Sequence, residues 1–126
     1  MPTTMKILCF PILLLTLVAC SSDNNSGILP DKLNGFWTSD DARYRDRSLE
    51  LDRVYVMIGV GRHQVPSVQV IDKIKVVQVG EETTYTVDST DLGNVSYQIT
   101  FRFTPINGGE IQFKNQPGIV WKRHTD

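Results

Sequence analysis

Val95-Ser96-Tyr97-Gln98-Ile99-Thr100-Phe101-Arg102-Phe103-Thr104 is the stretch that decides the fold. Its odd-numbered positions are apolar or aromatic, and its even-numbered positions are polar. Successive side chains of a strand point to opposite faces, so the pattern predicts a strand with one dry face and one wet face. Sheets of that kind are usually antiparallel. Ile111-Gln112-Phe113-Lys114 repeats the pattern beyond Asn107-Gly108-Gly109, a turn signal. Ile119, Trp121 and Arg123 alternate with Val120 and Lys122 after the break at Pro117-Gly118.

Upstream, Leu49 and Leu51 alternate with Glu50 and Asp52. Val54, Val56, Ile58 and Val60 take the opposite parity, which predicts a bulge or bend near Asp52-Arg53. Residues 68–79 are apolar-rich, with Asp72, Lys73 and Lys75 breaking the alternation, and read as one bent strand or two. Gly80-Glu81-Glu82 turns into residues 83–89, where Tyr85 and Val87 share a face. Residues 35–39 make a first short strand. Residues 39–47 offer one helical turn, capped by Ser39 or Asp40, with too few apolar positions to pack as a full helix. The string of six to eight short strands joined in sequence order predicts an all-β fold, a small antiparallel meander barrel or a sandwich. Closure removes exposed edges, which favours the barrel. The expected core is Trp37, Val54, Val56, Tyr97, Ile99, Phe101, Phe103, Phe113 and Trp121.

The chain has 126 residues, of which 40% are hydrophobic and 21% charged, with 13 Lys+Arg against 14 Asp+Glu. That length allows one small domain, and the apolar fraction is enough for a packed core. The near-zero net charge argues against a dedicated nucleic-acid binder, which concentrates basic residues on one face. Residues 7–19 carry no charge and follow Met5-Lys6, with Met5 the expected start. They are shorter than the ~20 apolar residues a spanning helix requires, and Pro11 interrupts them. A short apolar run behind one positive charge is the pattern of a secretory signal peptide.

That run ends in Leu17-Val18-Ala19-Cys20-Ser21, which resembles the lipobox of bacterial lipoproteins. The resemblance implies cleavage before Cys20, diacylation of its thiol and acylation of the new amine. Two or more acyl chains anchor stably where one does not. Ser21 in place of an inner-membrane retention Asp implies the outer membrane, with the domain facing the periplasm. Residues 1–19 are therefore the expected signal peptide. Residues 20–32, rich in Ser, Asp, Asn and Gly, are the expected flexible tether, and residues 33–126 the single β-domain. Cys9 leaves with the signal and Cys20 is consumed, so the mature domain has no disulfide and no thiolate metal site. Loss of Lys6 leaves 12 basic against 14 acidic residues, a formal charge of −2.

Leu33-Asn34-Gly35-Phe36-Trp37 is similar to the opening of small lipocalin-like bacterial lipoproteins, with Gly35-x-Trp37 matching the Gly-x-Trp of the first lipocalin strand. In that group a basic residue of the last strand packs over the Trp at the closed barrel end, and the resemblance implies Arg123 for that role. A guanidinium over an indole contributes ~0.5–2 kcal/mol.

Residues that signal chemistry are few. His63 and His124 have no His-x-His or His-Glu-x-x-His spacing, so no metal site is expected. Gly59-x-Gly61 lacks the third glycine of a dinucleotide fingerprint, and no Gly-x-Ser-x-Gly elbow is present. Asp40-Asp41 and Glu81-Glu82 sit in polar turns, not across a cleft. The expectation is no enzyme and no cofactor. The densest charged segment is residues 40–47, where Arg43, Arg45 and Arg47 fall on one side of an extended chain with Tyr44 opposite. Arg and Tyr are favoured at protein interfaces. Arg43, Tyr44, Arg45 and Arg47, with Arg62 and His63 of a glycine-containing loop, are the expected partner-binding residues.

These readings lead to a membrane-anchored, non-catalytic envelope lipoprotein that binds another protein in an assembly, secretion-accessory or immunity-type role. The alternative is a lipocalin-like carrier of a small apolar ligand. A carrier needs an apolar cavity of roughly 300 Å³ or more, whereas a binding module has a filled core and an exposed Arg/Tyr patch. The anchor is tested by Cys20→Ser, which is expected to move the protein out of detergent-extracted membranes into the soluble fraction. Retention of the mutant at the wild-type level would contradict it.

Overall fold

The structure is a computed structural model that describes residues 20–24, 28–61 and 64–124. The signal region, residues 1–19, lies outside them, as do Arg62 and His63. Among the described residues nine strands occur, in the order β1 (Cys20–Asn24), β2 (Gly35–Ser39), β3 (Ser48–Leu51), β4 (Tyr55–Gly59), β5 (Ser67–Val79), β6 (Glu82–Asp91), β7 (Ser96–Thr104), β8 (Glu110–Phe113) and β9 (Trp121–Arg123). From β2 to β9 each strand pairs antiparallel with its sequence neighbour, and β9 returns to pair with β2. The result is a closed eight-stranded up-and-down barrel, the form that the alternation and short turns predict.

Each strand's dry face points inward. Trp37, Leu49, Leu51, Val56, Tyr85, Val87, Phe101, Phe103, Ile111 and Trp121 are buried inside the barrel, and Ile99 and Phe113 pack against them half-buried. Aromatic rings run through this interior in contact. Tyr85 stacks on Phe101 at 5.4 Å, Phe101 meets Phe113 edge-on at 5.9 Å, and Phe113 meets Trp121 at 5.8 Å.

Several expectations are corrected in detail. Of the bulge or bend expected near Asp52-Arg53, the structure has the bend, as a hairpin turn: Asp52 N–H donates to the Tyr55 carbonyl, and β3 and β4 pair with each other. Val54 therefore sits in the turn, half exposed, and is not core. Tyr97 shares a face with Phe101 but lies where β7 runs past the barrel rim, so it too is exposed. Its hydroxyl donates to Asp91. Residues 68–79 belong to one strand, with a register shift between Ile71 and Lys73. The extra residue there lets Gln69, Ile71 and then Ile74 all face inward, while Asp72 turns out to accept from the Thr90 hydroxyl.

The tether is the largest correction. Residues 20–32 are not a free chain throughout. Cys20–Asn24 is a strand along the C-terminal half of β5, from Cys20 opposite Gln78 to Asn24 opposite Ile74. β4 covers only residues 67–70 on that edge of β5, so the protruding half offers unpaired backbone groups. Pairing with β1 satisfies them despite the poor strand propensity of Ser, Asp and Asn. Leu29 is buried, and its N–H donates to the Arg53 carbonyl. Asp31–Leu33 is a 3-10 turn that buries Leu33 under the barrel. The packed domain thus begins before residue 33.

Phe101, at the centre of the ring contacts, is 1% exposed. Phe101→Ala is expected to lower unfolding free energy by about 3–5 kcal/mol in urea titrations. Tyr97→Ala, at the rim, removes one exposed hydrogen bond and should cost under about 1.5 kcal/mol. Equal losses at the two sites would show that the inward face is assigned wrongly.

Candidate functional site

In a meander the connections alternate between two ends. One end carries the segment before β2 and the β3–β4, β5–β6 and β7–β8 turns. The other carries the β2–β3, β4–β5, β6–β7 and β8–β9 connections.

The first end is closed. Arg123 lies over the Trp37 ring, 4.5 Å from its centroid. Its guanidinium donates to the carbonyl oxygens of Asn34, of Lys32 at 2.6 Å and of Gly108 at 3.4 Å. The Trp37 indole N–H donates to the Leu33 carbonyl at 3.1 Å. Gly35 is required where it stands. Its φ is +146°, and a Cβ there would lie 2.7 Å from an Arg123 nitrogen. The pair expected from Gly35-x-Trp37 and Arg123 thus stands as a plug joining β2, β9 and the 3-10 turn. His124, beside it, is more than a tail residue: its N–H donates to the Phe36 carbonyl, and its ring meets Phe36 edge-on at 5.8 Å.

The second end is a mouth. Leu49, Ile58, Ile99, Phe113 and Trp121 line a cavity of 170 Å³ there, with Tyr44, Arg47, Asn115 and Gln116 around its rim. Tyr44 sits 6.1 Å from Trp121, ring to ring, as a lid over that wall. Behind the apolar wall, Ser89 donates to Gln69 at 2.9 Å, and the Gln69 amide reaches Ser67. A larger groove of 410 Å³ is lined mainly by Thr84, Thr100, Arg102, Gln112 and Lys114, side chains on the outer face of β6 to β8.

The lid is built by residues 39–47. Ala42–Tyr44 forms a 3-10 turn whose N-cap is Asp41, not Ser39 or Asp40. The Asp41 carboxylate accepts from the Arg43 backbone N–H at 2.9 Å and from the Arg43 guanidinium through both oxygens at 3.0 Å. The side-chain bonds with Arg43, then its backbone N–H, hold the Asp41 pKa down to about 2. The Arg43 pKa is raised by the same contact. Because the segment is a turn and not an extended chain, Arg43 and Arg47 do not lie opposite Tyr44. They flank its ring, at 5.9 and 5.6 Å from the centroid. Arg45 is exposed at the end of that turn. Of these arginines only Arg43 has a carboxylate partner among the described residues.

Sequence reasoning missed the mouth lining. Leu49, Ile58 and Ile99 are marked as inward by alternation, but alternation does not tell which inward residues end at a rim. Among the described residues no three His, Cys, Asp or Glu side chains converge as metal ligands. No protein-family model, no curated protein and no solved structure matches this chain.

The Asp41 contact generates a pH prediction. A carboxyl held below its unfolded pKa of ~3.9 adds stability above that value and loses it as pH falls through the folded pKa. The Arg43 amide resonance should therefore titrate with a midpoint near 2. A midpoint near ~4 would mean the cap is not formed in solution.

Proposed function

We propose that this chain is a lipid-anchored envelope protein, held through Cys20, whose barrel mouth binds another protein without catalysing a reaction. The observation that carries the reading is the filled interior. A groove of 440 Å³ runs along Gln98, Thr100, Lys114 and Asn115 at the rim, but two Trp with Tyr85, Phe101 and Phe103 occupy the barrel itself, leaving an interior cavity of 170 Å³. That volume falls short of the roughly 300 Å³ at which small-molecule sites begin. A carried apolar ligand would also have to displace Tyr44 from Trp121.

The mouth has features that suit a protein partner. A Tyr flanked by two Arg presents a large, stiff, amphipathic surface, and such residues dominate interface energetics. Arg45 and Arg47, which have no carboxylate partner among the described residues, favour an acidic partner surface. Exposed Val65, Leu92 and Val95 on the neighbouring loops add apolar contact area. The outer strand faces carry scattered Thr, Gln and Lys, which suit solvent.

The test is capture of the partner by the lipidated protein from detergent-solubilised envelopes, followed by Arg43→Ala, Arg45→Ala and Arg47→Ala made together. Circular dichroism checks the fold. A central Arg in an interface contributes about 2 kcal/mol or more, so the folded triple mutant should bind at least ~30-fold more weakly. Binding at wild-type affinity would remove these residues from the interface.

A further inference from the structure

We infer that the closed end of the barrel rests on the bilayer and that the mouth is presented away from it, because β1 fixes the anchor residue to the barrel wall. The inference rests on the reading of Cys20 as the lipidated residue and goes beyond it by assigning the face that meets the lipid. A free tether would leave the barrel to tumble. Here the backbone of Cys20 stands opposite Gln78, two residues before the β5–β6 turn at Gly80. The pairing runs antiparallel to Asn24 opposite Ile74, so the chain leads from the anchor up the wall and away from that turn. The anchor therefore lies at the closed end, the end of the Trp37–Arg123 plug, and at the opposite end of the barrel from Tyr44.

The closed end has the surface such a placement needs. Its turns expose Val79 at 68% and Val54 at 50%, and Ile106 and Ile28 less fully. Apolar side chains next to a lipid anchor enter the headgroup boundary to a depth of about 5–10 Å. The mouth also exposes apolar side chains, among them Val65 and Leu92, so exposure alone does not choose between the ends. The register of β1 chooses. β5 has 13 residues, and at ~3.3 Å per residue and the ~35–45° tilt of barrel strands its two ends differ in height by roughly 30 Å. That separation exceeds the reach of a lipid-borne quencher.

The test uses the full lipidated protein, purified from membranes and reconstituted in vesicles of phosphatidylethanolamine and phosphatidylglycerol. Val79→Cys and Leu92→Cys, both at exposed turns, each receive an environment-sensitive fluorophore. With Cys20 in thioether linkage, the unsubstituted protein takes up no dye and floats with the vesicles. Dye uptake by the unsubstituted protein, or failure to float, overturns the anchor and the orientation together. Given flotation, nitroxide-labelled lipid should quench the probe at position 79 and leave the probe at position 92 unquenched. Equal quenching at both positions, or stronger quenching at 92, overturns the orientation while the anchor stands. Ser22→Pro, which interrupts β1 at its centre, should keep flotation and abolish the difference between the two probes. A difference that survives Ser22→Pro overturns the role assigned to β1.

Discussion

The barrel depends on the stacking of Arg123 over Trp37. Closure is the step that converts an open meander into a barrel, and it falls to the shortest strand. β9 is three residues long, with three pairings to β2 and two to β8. So few backbone hydrogen bonds hold a seam weakly, and the side chains must add what the ladder lacks. Trp121 fills the interior from β9, and Arg123 reaches across the end to three carbonyl oxygens and the Trp37 face. Gly35 is the complement of that arrangement, since any Cβ would occupy the space the guanidinium takes. Gly109 has a similar part on the facing turn, where a Cβ would lie 3.0 Å from Phe103 and 3.2 Å from Trp37.

From that plug the two ends acquire different characters. Lys32 lies 5.6 Å from the Phe103 ring centroid, so a second cation covers the aromatic floor. Above the floor the aromatic contacts pass upward through Phe101, Phe113 and Trp121 to Tyr44. A domain of this size buries only some 60–65% of its unfolded surface, and this one has no disulfide to offset the shortfall. Filling the barrel with rings supplies stability at the expense of an internal cup. At the rim Asp41 fixes the turn that carries Tyr44 and its flanking arginines. The Asp91 carboxylate fixes the opposite rim. Its pKa is lowered by the Val95 backbone N–H first, then by the Tyr97 hydroxyl and Gly93 N–H.

Much of this was legible in the sequence, for a physical reason. Alternation is a local property, and residues 95–104 or 83–89 show it because one face of each strand meets a dry interior. The Trp37–Arg123 contact was expected only from the resemblance of Leu33-Asn34-Gly35-Phe36-Trp37 to the lipocalin opening; alternation alone does not pair the two residues. Edges and ends were not legible. Tyr97 and Val54 obey the apolar pattern yet stand outside, since a strand's overhang and a turn's extent depend on neighbouring strands. The strand at Cys20–Asn24 forms from residues of low strand propensity because the overhang of β5 has a free edge, a fact no local reading contains. The arrangement of Arg43 and Arg47 about Tyr44 depends on whether residues 42–44 turn or extend, which the Asp41 cap decides.

Amide hydrogen exchange across the β2–β9 seam tests the central claim most directly. In the wild-type protein the Thr38 and Lys122 amides, the pair that bonds across the seam next to His124 and Phe36, should exchange nearly as slowly as those of the long β6–β7 ladder, because the plug couples the seam to global unfolding. In Arg123→Ala the seam amides should exchange far faster, through local opening, while the β6–β7 amides stay near the new global limit. Seam amides that remain as protected as the β6–β7 ladder in the mutant would contradict the claim that the Arg123–Trp37 contact closes the barrel.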